Sequence, residues 1–201
     1  MAAENYICET VAYYNKYAQD YCDNTIHLNM SVFYEAFLGL VPPGGKILDA
    51  GCGSGRDTLY FKKCGYVVVA FDYASEIVKY ASKIIAQPVL KMSFQELNFS
   101  NEFDGIWACA SLLHVAKRDI TSVMNKLIRA LKKNGALYLS VKQGHKEVIR
   151  TGRFFNCYTA TDLKTLMSQF PEITIIEQWQ TVDVREGREK DFWQNMLVQK
   201  I

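Results

Sequence analysis

The chain has 201 residues, of which 49% are hydrophobic and 22% charged, a size and composition that fit one globular domain with a core of its own. Lysine and arginine total 23 against 21 acidic residues, a formal charge of +2. This is far from the basic excess of proteins that bind nucleic acids through their phosphates, so we expect no long nucleic-acid partner.

Cysteine and histidine are placed in ways that argue against disulfides and metal sites. The cysteines stand singly, without a C-x-x-C pair, as is typical of reduced thiols in a cytoplasmic protein: Cys8, Cys22, Cys52, Cys64, Cys109 and Cys157. The three histidines are far apart and lack the spacing of metal ligands, so no metal is expected. A signal-like start and a run of eighteen apolar residues are both absent, so we expect neither export nor membrane insertion.

Two helices are predicted within the first 42 residues. Within "ETVAYYNKYAQDYCDN", Val11, Tyr14, Ala18 and Tyr21 recur at steps of three and four, which indicates an amphipathic helix. A second helix is predicted from residue 28 to residue 38, and it ends before the prolines and glycines of "VPPGGK".

From residue 46 onward, strand-like and helix-like segments alternate. The predicted order is "KILDA" (strand), "RDTLYFKKC" (helix), "GYVVVAFD" (strand), "SEIVKYASKIIA" (helix), a short strand near "PVLKM", the strand "FDGIWACA", a helix around residues 120–131 and the strand in "KKNGALYLSV". Thr159 and Asp162 resemble a capping box that opens a helix through Gln169, and "EITIIEQW" and "FWQNMLVQKI" are predicted as two closing strands. This order predicts an α/β fold with a doubly wound, mostly parallel sheet and an antiparallel edge.

Three glycines stand together where the first predicted strand ends, in "ILDAGCGSGRD". Gly51, Gly53 and Gly55 remove side chains there, so a ligand can approach the main chain closely. In such sheets, ligands bind at the carboxyl ends of the strands. Asp72 ends the next strand, and its distance from Gly51 along the chain (72 − 51 = 21) is about the offset at which an acidic side chain holds ribose hydroxyls. The pattern predicts an adenosine-type ligand.

Two features bear on which adenosine-type ligand is bound. A dinucleotide fingerprint would have glycine or alanine where the chain has Arg56, and a P-loop lysine followed by serine or threonine is absent. We expect Asp49 to lie beside the ligand, where a pyrophosphate would be repelled by about 4 kcal/mol at about 4 Å and an effective dielectric near 20. The ammonium and sulfonium of S-adenosylmethionine would instead be attracted, which favours that ligand over NAD.

These segments resemble the ordered motifs of the class I S-adenosylmethionine-dependent methyltransferases. "LDAGCGSG" is similar to their motif I, hydrophobic-D/E-x-G-x-G-x-G, "VVVAFDYAS" resembles the next motif, and "FDGIWACASLLHV" through "LIRALKKNGALYLSV" resembles the later ones. The resemblance implies a single domain, residues 1–201, in which N-terminal lid helices (1–42) cover the cofactor beside a Rossmann-like core (43–201). That core would be a seven-stranded, mostly parallel sheet with an antiparallel C-terminal edge strand. Among small members, the chain looks most like the tellurite and thiopurine methyltransferase-like branch.

The resemblance also implies the residues that hold the cofactor. Asp49 should orient the amino end, directly or through water, and Asp72 should accept both ribose hydroxyls. Arg56 is a candidate partner of the carboxylate. The residues that should contact the rest of the cofactor are Gly51, Cys52, Gly53, Gly55, Cys109 and Ala110 for the methionyl part, Tyr73, Met92, Ser93 and Phe94 for the adenine, and Tyr13 and Tyr14 from the lid.

Four further residues are candidates for the methyl acceptor. His114 could act as a base if the acceptor must lose a proton. The alternative is a hydrogen-bonded structural role, which is common for a lone histidine at a helix start. Arg153, Arg185 and Arg188 fall in segments predicted as loops near the open side of the sheet. Arginine suits an anionic acceptor, while solvated loop charges are the alternative interpretation.

The sequence therefore predicts a cytoplasmic enzyme that transfers a methyl group from S-adenosylmethionine to a small molecule and releases S-adenosylhomocysteine. A short protein segment or tRNA stays open as acceptor. Two other functions stay open as well: a protein that binds S-adenosylmethionine without chemistry, and an NAD-dependent oxidoreductase. Neither the methylated atom nor the oligomeric state is encoded in these motifs.

Overall fold

The computed structural model of the chain describes residues 2–201, and side chains from Tyr6 onward. Its helices are α1 (Ala2–Lys16), α2 (Ala18–Asp23), α3 (Ser31–Leu38), α4 (Arg56–Lys63), α5 (Ser75–Ile84), α6 (Lys117–Ala130) and α7 (Ala160–Met167). Its strands are β1 (Lys46–Ala50), β2 (Val67–Asp72), β3 (Leu90–Lys91), β4 (Phe103–Ala108), β5 (Leu131–Lys142), β6 (Glu147–Arg150), β7 (Arg153–Asn156), β8 (Ile173–Val182) and β9 (Phe192–Lys200). Short 3₁₀ turns occupy Phe94–Glu96 and Leu112–His114.

Seven strands form one sheet in the order β3-β2-β1-β4-β5-β9-β8. Strands β1 to β5 pair in parallel, and the C-terminal strand β9 runs antiparallel to both β5 and β8. The chain crosses over between β1 and β4, so neighbouring loops diverge at the carboxyl ends of these two strands and leave a crevice. The predicted Rossmann-like, doubly wound sheet is confirmed.

Alternating side chains of β1 point to two separate cores. Leu48 and Ala50 pack in the core on the side of α6 and α7. Ile47 packs on the opposite side, in the core that α3 and α4 cover, together with Trp107 and Tyr138, whose rings stack at 4.0 Å between centroids. The capping box predicted for α7 is present, because Thr159 accepts a hydrogen bond from the Asp162 amide at 3.1 Å.

The N-terminal helices differ in detail from the prediction. The single amphipathic helix is broken into α1 and α2 at Tyr17, whose φ and ψ of −113° and 25° are not helical. Helix α1 packs on β7 and α5, and α2 packs on α5, so both lie over the carboxyl ends of the parallel strands. Within residues 2–201, no helix has the length and apolar character needed to cross a bilayer.

An unpredicted hairpin follows β5. Strands β6 and β7 pair antiparallel outside the main sheet, joined by Thr151 and Gly152, whose φ values of 50° and 74° suit a two-residue type I′ turn. The sequence predicts a loop at Arg153, but this residue is the first of strand β7.

Candidate functional site

The glycine loop uses most of its own amides internally. Gly51 and Cys52 both donate to the carbonyl of Phe71, at 3.0 and 2.9 Å, and Gly53 donates to Oδ2 of Asp72 at 3.1 Å. A dinucleotide loop instead presents free amides to a pyrophosphate. Because these three amides already have partners, they are not free to bind a phosphate. A ligand without phosphate can still approach the main chain closely, since the glycines have no side chains.

Two of the glycines are required by close contacts at the loop. A Cβ on Gly51 would lie 2.5 Å from Cβ of Ser111, and one on Gly53 would lie 3.1 Å from the hydroxyl of Tyr21. Both glycines also have positive φ, 81° and 53°, which L side chains rarely adopt. The loop can therefore pass directly beneath the side chains above it.

Two adjoining cavities lie over this loop, one of about 320 Å³ and one of about 110 Å³. The residues common to both walls are Tyr14, Tyr21, Gly51, Gly53, Ala110 and His114. The smaller cavity also contacts the predicted adenosine residues Asp72, Tyr73, Met92, Ser93 and Phe94. The larger cavity also contacts Cys52, Arg56, Cys109 and the three candidate acceptor arginines, Arg153, Arg185 and Arg188.

Asp72 lies at the smaller cavity with both carboxylate oxygens fixed. Oδ2 accepts from Gly53 at 3.1 Å and Oδ1 accepts from Ala74 at 3.0 Å. Burial raises the pKa of Asp72, and these backbone donors oppose the rise. Each oxygen keeps lone-pair capacity for a further donor, so the side chain can accept two vicinal hydroxyls from the cavity.

Asp49 lies behind the glycine loop. It lines neither cavity, and its buried carboxylate accepts a hydrogen bond from Thr58 Oγ1 at 2.6 Å. It shares the face of β1 with Ile47, and that face is covered by α4. Burial, followed by the charge of Asp57, raises the pKa of Asp49 to about 8. Asp49 therefore lies behind the loop, and its role toward the amino end of a ligand stays a prediction.

Two further predicted contacts also lie outside the cavities. Gly55 faces α5, where an added Cβ would lie 2.7 Å from Ile85, so it allows α4 and α5 to pack closely. Tyr13 stacks under the guanidinium of Arg153, 4.4 Å from the ring centroid. Tyr14, the other predicted lid residue, lines both cavities, and so does Tyr21, a residue of the same helical stripe that the motifs did not indicate.

Arg56 lines the larger cavity, but its charge is already balanced. Its guanidinium makes a bidentate ion pair with Asp57, at 2.6 and 2.9 Å. Asp57 also accepts from the Tyr34 hydroxyl at 2.5 Å and from the Trp107 indole at 2.7 Å. Burial alone would raise the pKa of Asp57, but Arg56 and these donors outweigh it and lower the pKa. The ion pair engages Nε and Nη2 of Arg56, and the assignment of the ligand carboxylate to this residue stays a prediction.

His114 lies where the two cavities join, with both ring nitrogens engaged. Nδ1 is 2.6 Å from the carbonyl oxygen of Phe154, and Nε2 is 3.0 Å from the hydroxyl of Tyr14. Burial lowers the pKa of His114 to about 4, so the ring is neutral near pH 7. The predicted base thus does not face the cavity through a free nitrogen.

The larger cavity carries more positive than negative side chains. Its six cationic residues are Arg56, Lys142, Arg150, Arg153, Arg185 and Arg188, and its three acidic residues are Asp57, Asp183 and Asp191. Arg185 pairs with Asp183, and Asp191 is shared by Lys142 and Arg188 at 3.2 and 3.7 Å. Arg150 and Arg153 form no ion pair with a carboxylate of the described side chains, and Nε of Arg153 is buried without a hydrogen-bond partner among them. Among the side chains from residue 6 onward, these two positive charges at the wall therefore have no carboxylate to balance them.

The fold and the position of the cavities identify the structural class of the protein. The sheet order, the antiparallel C-terminal strand and the cavities over the first strand are those of the Rossmann-like methyltransferase fold. A family model described as a methyltransferase domain matches residues 47–135. In the part of the chain that the structure describes, no cluster of three or more histidine, cysteine or acidic side chains could hold a metal ion.

The comparisons with individual proteins agree on this fold. The chain is 29% identical over 108 residues to a ubiquinone biosynthesis O-methyltransferase of Xanthomonas axonopodis pv. citri, covering 50% of this chain and 44% of that protein. The first curated relatives are thus matched over less than half of their length, 46% and 44%. The 1,6-didemethyltoxoflavin-N1-methyltransferase of Burkholderia thailandensis, solved with 1,6-didemethyltoxoflavin and S-adenosylhomocysteine, superposes with a TM-score of 0.80 at 21% identity, covering 100% of this chain and 91% of that one. Magnesium protoporphyrin IX methyltransferase of Synechocystis PCC 6803, solved with S-adenosylmethionine, gives 0.63 at 16% identity, over 91% and 79%.

Proposed function

We propose that this protein transfers a methyl group from S-adenosylmethionine to a small-molecule acceptor and releases S-adenosylhomocysteine. The observation that carries the proposal is the pair of cavities joined over Gly51 and Gly53. One cavity suits a nucleoside and the other leaves room for an acceptor. Solved methyltransferases of the same fold that hold this cofactor or its product support the choice.

The residues present fit S-adenosylmethionine in three respects. Asp72 can accept both ribose hydroxyls, and the side chains of Tyr73, Met92 and Phe94 offer an apolar wall for adenine. The loop amides of Gly51 and Gly53 are already bonded within the chain, which suits a ligand without phosphate. The cofactor supplies the activated methyl group, and the protein's task is alignment of the two reactants.

We propose further that the acceptor is anionic. Arg150 and Arg153 line the larger cavity without a carboxylate partner among the described side chains, and Arg185 and Arg188 stand at the same wall. A guanidinium that lacks a counter-ion favours an acidic or phosphorylated partner, which it can bind through two parallel hydrogen bonds.

The remaining expectations belong to this proposal. The chain 1–201 would act as one domain in which the N-terminal helices, within residues 1–42, cover the cofactor, and Tyr14 and Tyr21 at both cavities support this. A cytoplasmic location is supported by the free thiols of all six cysteines. Placement in the tellurite and thiopurine methyltransferase-like branch rests on the motifs alone.

Labelled methyl transfer tests the proposed function. The protein is incubated with S-adenosylmethionine carrying a radiolabelled methyl group and a fractionated metabolite extract. The expected result is label in a small anionic product, absent with the Asp72→Ala variant. Tight binding of S-adenosylhomocysteine without labelled product in any fraction would identify a binding protein instead, and binding of NAD alone would identify an oxidoreductase.

A further inference from the structure

The hydrogen bonds around His114 determine where its proton lies. The carbonyl oxygen of Phe154 can only accept, so Nδ1, 2.6 Å away, is the donor. A neutral imidazole has one N–H, so Nε2 carries the lone pair and accepts from the hydroxyl of Tyr14 at 3.0 Å. The ring is therefore locked in one tautomer by β7, with its basic nitrogen turned toward α1.

Tyr14 and His114 both line the two cavities, and the Tyr14 hydroxyl covers the basic nitrogen of the imidazole. The Tyr14 hydroxyl hydrogen is committed to His114, and its oxygen accepts a hydrogen bond from the guanidinium of Arg153, which leaves one lone pair for a further donor. The side chain lines both cavities at the place where they join. A proton released by a molecule in the larger cavity would therefore meet the Tyr14 oxygen before it could reach the imidazole.

We propose that Tyr14 is the residue that accepts the acceptor's proton during methyl transfer, with His114 behind it as the final proton carrier. The proposal rests on the function proposed above. In the reaction, the bond between the acceptor atom and methyl carbon forms as the carbon–sulfur bond breaks. The acceptor hydrogen passes to Tyr14 Oη, and the tyrosine hydrogen passes to His114 Nε2. The products are a methylated acceptor, a neutral thioether and an imidazolium, which later loses its proton to solvent.

His114 can take up the proton despite its lowered pKa, because the reaction does not add a buried charge. Burial lowers the pKa of His114 to about 4 and raises that of Tyr14, so the resting pair is neutral. The positive charge that leaves sulfur reappears on the imidazole, so the number of buried charges does not change during the step. The groups around Tyr14 are Arg153 on β7, Asp72 on β2 and Tyr13 on its own helix, and Tyr21 on α2 contacts its ring. Arg153 opposes the imidazolium by Coulomb repulsion.

The test compares three variants, with the acceptor identified by labelled methyl transfer. Tyr14→Phe removes the relay oxygen, and His114→Asn offers an amide to the Phe154 carbonyl while removing Nε2. Tyr17→Phe, at an exposed tyrosine that lines neither cavity, is the matched control. We expect kcat to fall about 100-fold or more in the first two variants, with the Kd for S-adenosylhomocysteine within about threefold. The double variant should be no slower than either single one, because the two residues act as a unit. The control should retain kcat within about twofold.

The pH profile separates proton transfer from a structural role. Between about pH 6 and pH 9 the wild-type kcat should be flat, because neither member of the pair titrates there, whereas in Tyr14→Phe it should rise about tenfold per pH unit as the acceptor must ionise unaided. Normal kcat in Tyr14→Phe, or a slow variant with a flat profile, overturns the relay while leaving the methyltransferase in place. A wild-type protein that binds S-adenosylhomocysteine but labels no acceptor overturns both.

Discussion

Replacing Asp72 with alanine tests the geometry of the nucleoside cavity. In the proposed complex, two ribose hydroxyls donate to this carboxylate, and hydrogen bonds to a charged group contribute about 1.5–3 kcal/mol each. Two such bonds amount to about 3–6 kcal/mol, or roughly 100-fold or more in Kd at about 1.4 kcal/mol per tenfold. The change also removes the hydrogen-bond acceptor of the Gly53 and Ala74 amides. The loss of binding free energy should therefore lie toward the upper end of this range.

Calorimetric titration with S-adenosylhomocysteine measures this loss. Asp20→Ala, which removes an exposed carboxylate from α2, is the control for net charge, and it should bind as the wild type does. Asp72→Asn should lie between the two, since its amide oxygen can still accept one hydrogen bond. Circular dichroism on each variant shows whether the sheet is intact. A folded Asp72→Ala protein with a Kd within about threefold of wild type would refute the ribose assignment.

Three further substitutions probe the support of the loop. Asp57→Asn should lower the free energy of unfolding by about 3–5 kcal/mol in urea, because it leaves the buried charge of Arg56 unpaired; a loss below about 1 kcal/mol would contradict that network. The pKa of Asp49, about 8 in the folded chain, exceeds the unfolded value of about 3.9, so its contribution to stability is full below pH 4 and is lost as pH rises to 8. Asp49→Asn should therefore be more favourable relative to wild type at pH 8 than at pH 5, and equal differences at both pH values would argue against the shift. Gly51→Ala should lower Tm by several degrees, because its Cβ would lie 2.5 Å from Cβ of Ser111; an unchanged Tm in thermal melts would show that the loop can relax.

The sheet could be predicted because each segment carries its own local signal. Buried strands, helical stripes and turn residues alternate through the core, and the parallel order follows from connection rules. The site was harder because a motif fixes the position of a residue along the chain, while the direction of its side chain depends on the strand. Alternation along β1 places Asp49 with Ile47, on the face that α4 covers, and away from the glycine loop's open side. Applied to "KILDA", that rule would have predicted the buried carboxylate.

The hairpin could have been predicted from the sequence, whereas the ion pairs of the arginines could not. The segment "EVIRTGRFF" contains two short strand-like runs around a Thr-Gly turn, so β6 and β7 were within reach of turn chemistry. The pairing of Arg56 with Asp57 and of Arg185 with Asp183 was not predicted. Whether an arginine is neutralised by a neighbour or left for a ligand depends on side-chain geometry in the folded chain. Tyr21 was visible in the helical stripe, but nothing in its spacing distinguishes a cavity wall from a core position.

The central claim is that the crevice at the end of β1 holds a nucleoside without phosphates. Parallel calorimetric titrations of the wild-type protein with S-adenosylhomocysteine and with NAD test it most directly. The account predicts saturable binding of S-adenosylhomocysteine at one site per chain and no measurable binding of NAD at the same concentrations. Saturable binding of NAD together with no heat from S-adenosylhomocysteine would contradict it.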